Sequence, residues 1–178
     1  RFSTRQVILA YGGRFSDEMM SGLPDVLMPT IQQALGLNLA QIGLLRQAME
    51  WTSQVIDPIH GLLLDVWDRK WLMGLGALGC ALSIGLIGLA PTFGLLLLAF
   101  ALYGAAMGPL THTGDVLVVE AYPDAPARAY TRSVLFDTIG AALAPLLVTL
   151  VFWLGLDWRW LLVGIGGGAL LYGAAILH

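Results

Sequence analysis

Charge is what this sequence has least of. Asp, Glu, Lys and Arg make up 12% of its 178 residues, about half of the roughly 25% found in a soluble domain. A soluble fold of this size covers its outside with polar side chains, and there are too few here to do so. Hydrophobic residues make up 57% and the mean hydropathy is +0.76. Lipid is therefore the expected solvent for much of the surface. Cysteine is nearly absent as well. Cys80 is the only one, which excludes a disulfide framework, and its apolar surroundings suit a small core residue. The net charge of −3 gives no basis for binding nucleic acid. No nucleotide-binding motif is present, so ATP drive is unsupported, and nothing in the sequence asks for a metal or cofactor. There is no linker, low-complexity tract or soluble domain. The chain starts at Arg1 without Met, and its first apolar run is too long and too charged for a signal peptide. The expectation is a chain trimmed at one or both ends.

What is present is a series of long apolar runs. Six spans are expected, at 6–28, 41–64, 71–90, 93–121, 129–154 and 160–177. Each is close to the ~20 residues needed to cross ~30 Å of hydrocarbon. The connections are short: 29–40, then Ala90-Pro91-Thr92, then Pro123 to Pro126. Such connections make neighbouring helices antiparallel. The predicted fold class is an all-α integral membrane protein, a single six-helix transmembrane bundle.

Orientation follows from basic residues in the loops. Arg1, Arg5, Arg69, Lys70, Arg128 and Arg132 all fall on one side, and only Arg159 falls on the other. Both termini are predicted to be cytoplasmic, in what is expected to be a plasma (inner) membrane. Trp153, Trp158 and Trp160 then cluster at the outer interface, as in an aromatic belt.

The charged residues are unevenly shared. Spans one, two, four and five carry ionisable residues, whereas spans three and six carry none. The order polar, polar, apolar occurs twice. A 3+3 internal repeat gives this order when two helices of each triplet face water or a partner and the third faces lipid. No residue-level repeat underlies it.

Charges near a bilayer centre cost a few kcal/mol even on mild insertion scales, so they are paired, functional or both. Tyr11, Arg14, Asp17, Glu18, Ser21 and Asp25 lie within an arc of roughly 120° on span one. Asp17 is about 17 Å along the span, close to the midplane. Arg14 has Asp17 at i+3 and Glu18 at i+4 as candidate partners. On span two, Gly43, Arg46, Gln47, Glu50, Gln54, Asp57 and Gly61 form a stripe roughly 100° wide, with Arg46 and Glu50 as an i,i+4 pair. Span four brings His112 and Asp115, one turn apart, among small residues from Gly104 to Gly108. Span five brings Tyr130, Ser133, Asp137, Gly140, Ala141 and Ala144. Charges of this kind can simply neutralise one another across a helix contact, and Gly140 and Ala144 suit close packing. The group Arg14, Asp17, Glu18 and Glu50 is too large for that purpose alone and points to an aqueous cavity.

Between spans two and three the sequence reads Gly61-Leu62-Leu63-Leu64-Asp65-Val66-Trp67-Asp68-Arg69-Lys70. This resembles the loop signature of the major facilitator superfamily: Gly, Asp four on, then two basic residues eight and nine on. Glu120-Ala121-Tyr122-Pro123 with Arg128 is similar to the family's acidic, proline and basic pattern between helices four and five. Asp157-Trp158-Arg159-Trp160 resembles its start of helix six. The Arg14-Phe15-Ser16-Asp17 run and the Gly108-Pro109 step also resemble the fosmidomycin-resistance branch. There are departures. Many proton-driven exporters of the family carry an Arg early in helix four, where this chain has Phe100 and Ala101. The helix-five antiporter pattern is matched only in part, by Gly140, Ala144-Pro145 and Val148-Thr149.

The resemblance implies half of a twelve-helix fold, with alternating access around a central site. The expected function is secondary active transport of a small solute across the bilayer, with proton-coupled efflux as one form. The expected partner is a second six-helix half. Arg14 is a candidate for an anionic group on the solute, and Asp17, Glu18, Glu50, Asp137 and His112 for solute or proton binding. Gly61, Asp65, Arg69, Lys70, Glu120 and Arg128 are expected at a cytoplasmic gate. Gly61 would allow close helix approach, and Asp65 would meet a helix N-terminus or a basic residue, while Asp68 would be solvated. Two other readings stand beside this one: an intramembrane enzyme using His112 and Asp115, which lacks any accompanying catalytic motif, and a membrane assembly subunit that transports nothing alone.

Overall fold

The computed structural model describes residues 4–178, so Arg1 and its part in the orientation argument lie outside the described residues. Six α-helices follow one another: α1 Thr4–Leu35, α2 Leu39–Leu64, α3 Arg69–Leu89, α4 Phe93–Ala121, α5 Pro126–Trp153 and α6 Trp158–Leu177. No strand occurs among the described residues. By length and apolar composition, α3 to α6 qualify as membrane spans. The first two helices carry more charge, including Arg14, Asp17, Glu18 and Asp25 on α1 and Arg46, Glu50 and Asp57 on α2.

The first helix is longer than expected. It passes through Pro24 and Pro29 to Leu35, where the sequence suggested a connection from residue 29. Proline removes one intrahelical hydrogen bond and strains the preceding turn. Here Leu23, Leu27 and Ile31 are all fully buried at four-residue spacing, so packing carries the helix past both prolines. It stops at Gly36, whose φ of 63° suits a residue without Cβ. Leu37 N–H then returns to the Gln32 carbonyl at 3.0 Å, closing the end as a Schellman turn. Asn38 opens α2 with a reciprocal capping box to Gln41. The end of α5 repeats the device: Gly155 has φ 67° and Leu156 N–H meets the Val151 carbonyl at 3.0 Å.

The helix packing only partly survives exchange of the two triplets, because the extensive α3–α4 contact has only a slight α1–α6 counterpart. Helix α1 packs on α5 and α2 on α4, α3 pairs with α6, and α1 meets α4 in the middle. Exchanging α1 with α4, α2 with α5 and α3 with α6 maps these four contacts, though not the α3–α4 contact, onto themselves. Two glycines set the flanking contacts. A Cβ on Gly140 of α5 would collide with the α1 backbone at Phe15, and one on Gly104 of α4 with the α2 backbone at Met49. Backbones this close can be reached only without a side chain.

The third helix is less peripheral than a lipid-facing span. Its inner face, including Met73, Ala77, Cys80 and Ile84, is buried against α4 and α6. Only a stripe of Trp71, Leu75, Leu82 and Leu89 is exposed. The most open helices are α2 and α5, where Trp51, Val55, Ile59 and Leu62, and Leu135, Ile139, Leu146 and Leu150, face outward. Of the expected tryptophan belt, Trp153 and Trp160 are exposed but Trp158 is buried. The Arg159 guanidinium lies over the Trp158 ring and donates to the carbonyls of Gly88 and Ala90, which draws the start of α6 onto the end of α3.

Candidate functional site

The polar residues of α1, α4 and α5 meet across the helix contacts. Arg14 lies at the crossing. Its Nε donates to Asp115 Oδ1 at 3.0 Å and its Nη2 to Asp115 Oδ2. Its Nη1 faces Asp137 Oδ1 of α5 at 3.6 Å. Ser133 donates to Asp115 Oδ1 at 3.2 Å. Two carboxylates thus share one guanidinium, and they share it unequally. Asp115 takes a two-pronged pair, the strong geometry for Arg and carboxylate. Asp137 is held at a distance, and its Oδ1 is buried without a hydrogen bond.

This corrects the expected pairing of Arg14 with Asp17 or Glu18. Those residues are near in sequence, but Asp115 offers one oxygen to each of two guanidinium nitrogens. Asp17 instead turns into α4, where the Tyr103 hydroxyl donates to its Oδ1 at 2.8 Å. Asp17 is 4% exposed. Glu18 remains beside it and lines a cavity of about 180 Å³ between α1, α2, α3 and α4, with Asp17, Asp25, Arg46 and Tyr103.

The expected Arg46–Glu50 pair is also replaced. Arg46 reaches across to Asp25 of α1 at 2.6 Å, and Glu50 is exposed with no ion pair among the described residues. His112 and Asp115 part company too. Asp115 joins Arg14, while His112 is exposed and turns toward Asp57 of α2, its Nε2 4.0 Å from Oδ2. They form no dyad, so the arrangement that an intramembrane enzyme would need is missing from this geometry.

At the end of the bundle where α2 and α4 finish, Arg69 forms a two-pronged ion pair with Glu120, one arm at 2.8 Å. The other residues expected there are not joined to it. Asp65 and Arg128 are exposed and make no ion pair among the described residues. Lys70 contributes its backbone N–H to Asp68 Oδ1 at 2.8 Å. Asp68 is exposed, as expected of a solvated residue, and is in addition the N-cap of α3. Gly61 faces open space, with nothing of this chain within 4 Å of where its Cβ would be, so the close approach expected there is not made within these six helices.

Sequence reasoning named Asp115 only beside His112 in the enzyme reading, and gave Ser133 and Tyr103 no functional role. Asp115 and Ser133 stood on the polar faces already identified, and their 18-residue separation along α4 and α5 hid their contact. Tyr103 carries no charge and sits in an apolar run, so only its hydrogen bond reveals it.

A family model for the Major Facilitator Superfamily matches residues 10–178. The chain is 24% identical over 135 residues to the Fosmidomycin resistance protein of Escherichia coli (strain K12), an alignment covering 76% of this chain and 33% of that one. Its fold is similar to that of a bacterial homolog of the human lysosomal transporter Spinster. For the inward-facing, unoccupied form the TM-score is 0.83 at 17% identity, over 99% of this chain and 43% of that one. For the inward-facing, occupied form it is 0.79 at 18% identity, over 96% and 42%. The chain thus spans about a third of the curated relative it matches and under half of these solved chains. With a family model over nearly its whole length and a matching fold, this chain belongs to the Major Facilitator Superfamily, whose members are integral membrane transporters and not enzymes.

Proposed function

We propose that these six helices are the amino-terminal half of a secondary active transporter that moves a small solute by alternating access. A second six-helix half would cover the open faces of α2 and α5, and lipid the outer stripe of α3. All six helices cross the plasma membrane in this reading, with both termini cytoplasmic. The observation that carries it is Arg14 held between Asp115 and Asp137 on three different helices. Merely packing helices does not require two carboxylates around one guanidinium, and an intramembrane arrangement of this kind is a functional site by default.

The unequal sharing suggests how such a site works. An anionic group on a solute competes for Arg14 with Asp137, the loosely held partner, more easily than with Asp115. A proton taken up by Asp137 removes the competing charge. Solute and proton binding are then linked through one guanidinium, and rocking of the halves exposes them to either side. Asp17, Glu18, Glu50 and His112 are further candidates for proton or solute contact. Asp65, Arg69, Lys70, Glu120 and Arg128 form the cytoplasmic gate, with Gly61 open to the missing half. The Escherichia coli relative's name favours export, and fosmidomycin is the first probe.

The test uses the full-length protein in inverted membrane vesicles with labelled fosmidomycin and an imposed proton gradient. Accumulation above that of vesicles lacking the protein is expected, and Arg14→Ala should abolish it at equal expression. Transport by Arg14→Ala at the parent rate would remove the site assignment. A cysteine placed at residue 69 should be labelled from the cytoplasmic side only, and labelling from outside intact cells would overturn the orientation.

A further inference from the structure

A cavity of about 580 Å³ takes no part in the Arg14 network. It lies at the end of the bundle where α1 and α3 begin and α2 and α6 finish. Its volume is that of a small-molecule site, roughly 300–1,000 Å³. The fold leaves this space open, because α1 and α6 touch only slightly where α3 and α4 pack extensively. Two long-range hydrogen bonds hold α1 to α6 beside it. Arg5 Nη2 donates to the Ala175 carbonyl at 3.0 Å, and the Tyr172 hydroxyl donates to the Leu9 carbonyl.

The deep wall of the cavity is apolar and its mouth is basic. Met73, Leu117 and Ile176 line it and are buried. Arg5, Arg69 and Lys70 line it at the more open end. These cations are unequally committed. Arg69 is bound by Glu120. Arg5 and Lys70 make no ion pair among the described residues. Asp68 is the only acidic side chain on the lining among the described residues, and it accepts from the Lys70 backbone N–H. Two cations therefore stand beside a buried apolar wall without an anion of their own.

We propose that this cavity binds the headgroup of an anionic phospholipid, its phosphate on Arg5 and Lys70 and its glycerol and first acyl carbons against Met73, Leu117 and Ile176. Phosphate is the chemistry that a lipid shares with a free anion. A free phosphate uses the cations and leaves the apolar wall wet, whereas a lipid uses both. Trp67 also lines the cavity and is 50% exposed, and its neighbours Val66 and Trp71 are exposed too. Indole rings at a helix end suit the height of lipid headgroups. Basic pockets between membrane helices on the cytoplasmic side take such headgroups. The proposal rests on the orientation given above only for which leaflet supplies the lipid.

The experiment is native mass spectrometry of the full-length protein released from detergent micelles. It is titrated with dioleoylphosphatidylglycerol, with dioleoylphosphatidylcholine and with inorganic phosphate. Saturable binding of the phosphatidylglycerol is expected, tighter than that of the phosphatidylcholine, whose headgroup has no net charge. Lys70→Gln and Arg5→Gln should each weaken it about fivefold, the effect of one basic residue near a headgroup. Arg5→Gln keeps the test open if Lys70→Gln does not fold. Arg132 is exposed near the start of α5, at the same end but off the lining, and Arg132→Gln should leave binding unchanged. Equal weakening by Arg132→Gln and the two lining variants would mean surface charge alone and overturns the site. Equal affinity for the two lipids overturns it as well, as does binding of inorganic phosphate with no phosphatidylglycerol bound. No transport is measured, so those results would leave the transporter reading standing. Absent transport with intact lipid binding would do the reverse.

Discussion

Arg14 and Asp115 are 101 positions apart in the chain and meet through both donor arms of the guanidinium. The pair fastens α1 to α4 at the centre of the bundle, where the two halves of the repeat touch. Each side chain is less than a fifth exposed. Removing one partner leaves an uncompensated charge, which typically costs about 3–5 kcal/mol when buried.

Arg14→Leu is therefore expected to lower the melting temperature of the purified full-length protein sharply. The double variant Arg14→Leu/Asp115→Leu should recover part of that loss, because the orphaned carboxylate is gone. Melting curves of the two single variants and the double decide it. Simple additivity of the single effects would mean that the pair is not coupled.

Tyr103 offers a cleaner deletion. Tyr103→Phe keeps the ring in its place and removes only the hydroxyl that donates to the Asp17 carboxylate and backbone carbonyl. A lost hydrogen bond to a buried acceptor costs about 1–3 kcal/mol. A drop in melting temperature is expected, larger than for Tyr130→Phe, whose ring is exposed. Equal melting of the two variants would mean that the hydroxyl contributes nothing to Asp17.

The loop between α2 and α3 separates two acidic residues by role. Asp68 caps α3, so Asp68→Ala should cost about 0.5–2 kcal/mol of stability, while Asp68→Asn keeps a capping oxygen. Asp65 caps nothing with its side chain and has no ion pair within these helices. Asp65→Asn should leave melting unchanged yet reduce transport more than Asp68→Asn does. Vesicle transport normalised to expression, beside melting curves, tests both halves. Equal transport by the two Asn variants would end the gating role given to Asp65.

Arg69 and Glu120 are partly exposed, at 30% and 43%. Solvent screens such a pair, which contributes about 0.2–1 kcal/mol. Its expected importance is therefore to gate state and not to stability. Arg69→Glu and Glu120→Arg should each slow transport, and the exchanged double variant should regain at least part of the rate. Failure of the exchange to restore any rate would place Arg69 in another role.

Several things were determined by the sequence itself. Low charge and long apolar runs point to helices in lipid, because only helices and closed barrels satisfy the backbone there without water, and runs of about 20 residues fit helices, not barrel strands. The spacing from Gly61 to Lys70 marked the family. The placing of ionisable residues on spans one, two, four and five identified which helices carry the polar site, since a helix face is set by a period that can be counted along the chain.

Partners were decided only by tertiary structure. Counting along α1 offered Asp17 and Glu18 to Arg14, and counting along α2 offered Glu50 to Arg46. The folded chain gave Asp115 with Asp137, and Asp25. Helical periodicity fixes where a side chain points but not what stands opposite. That depends on how closely the backbones pack, which Gly104 and Gly140 allow at α2–α4 and α1–α5. Long-range contact also carried α1 through two prolines to Leu35, against its local signals, because burying Leu23, Leu27 and Ile31 outweighs the hydrogen bonds that proline removes.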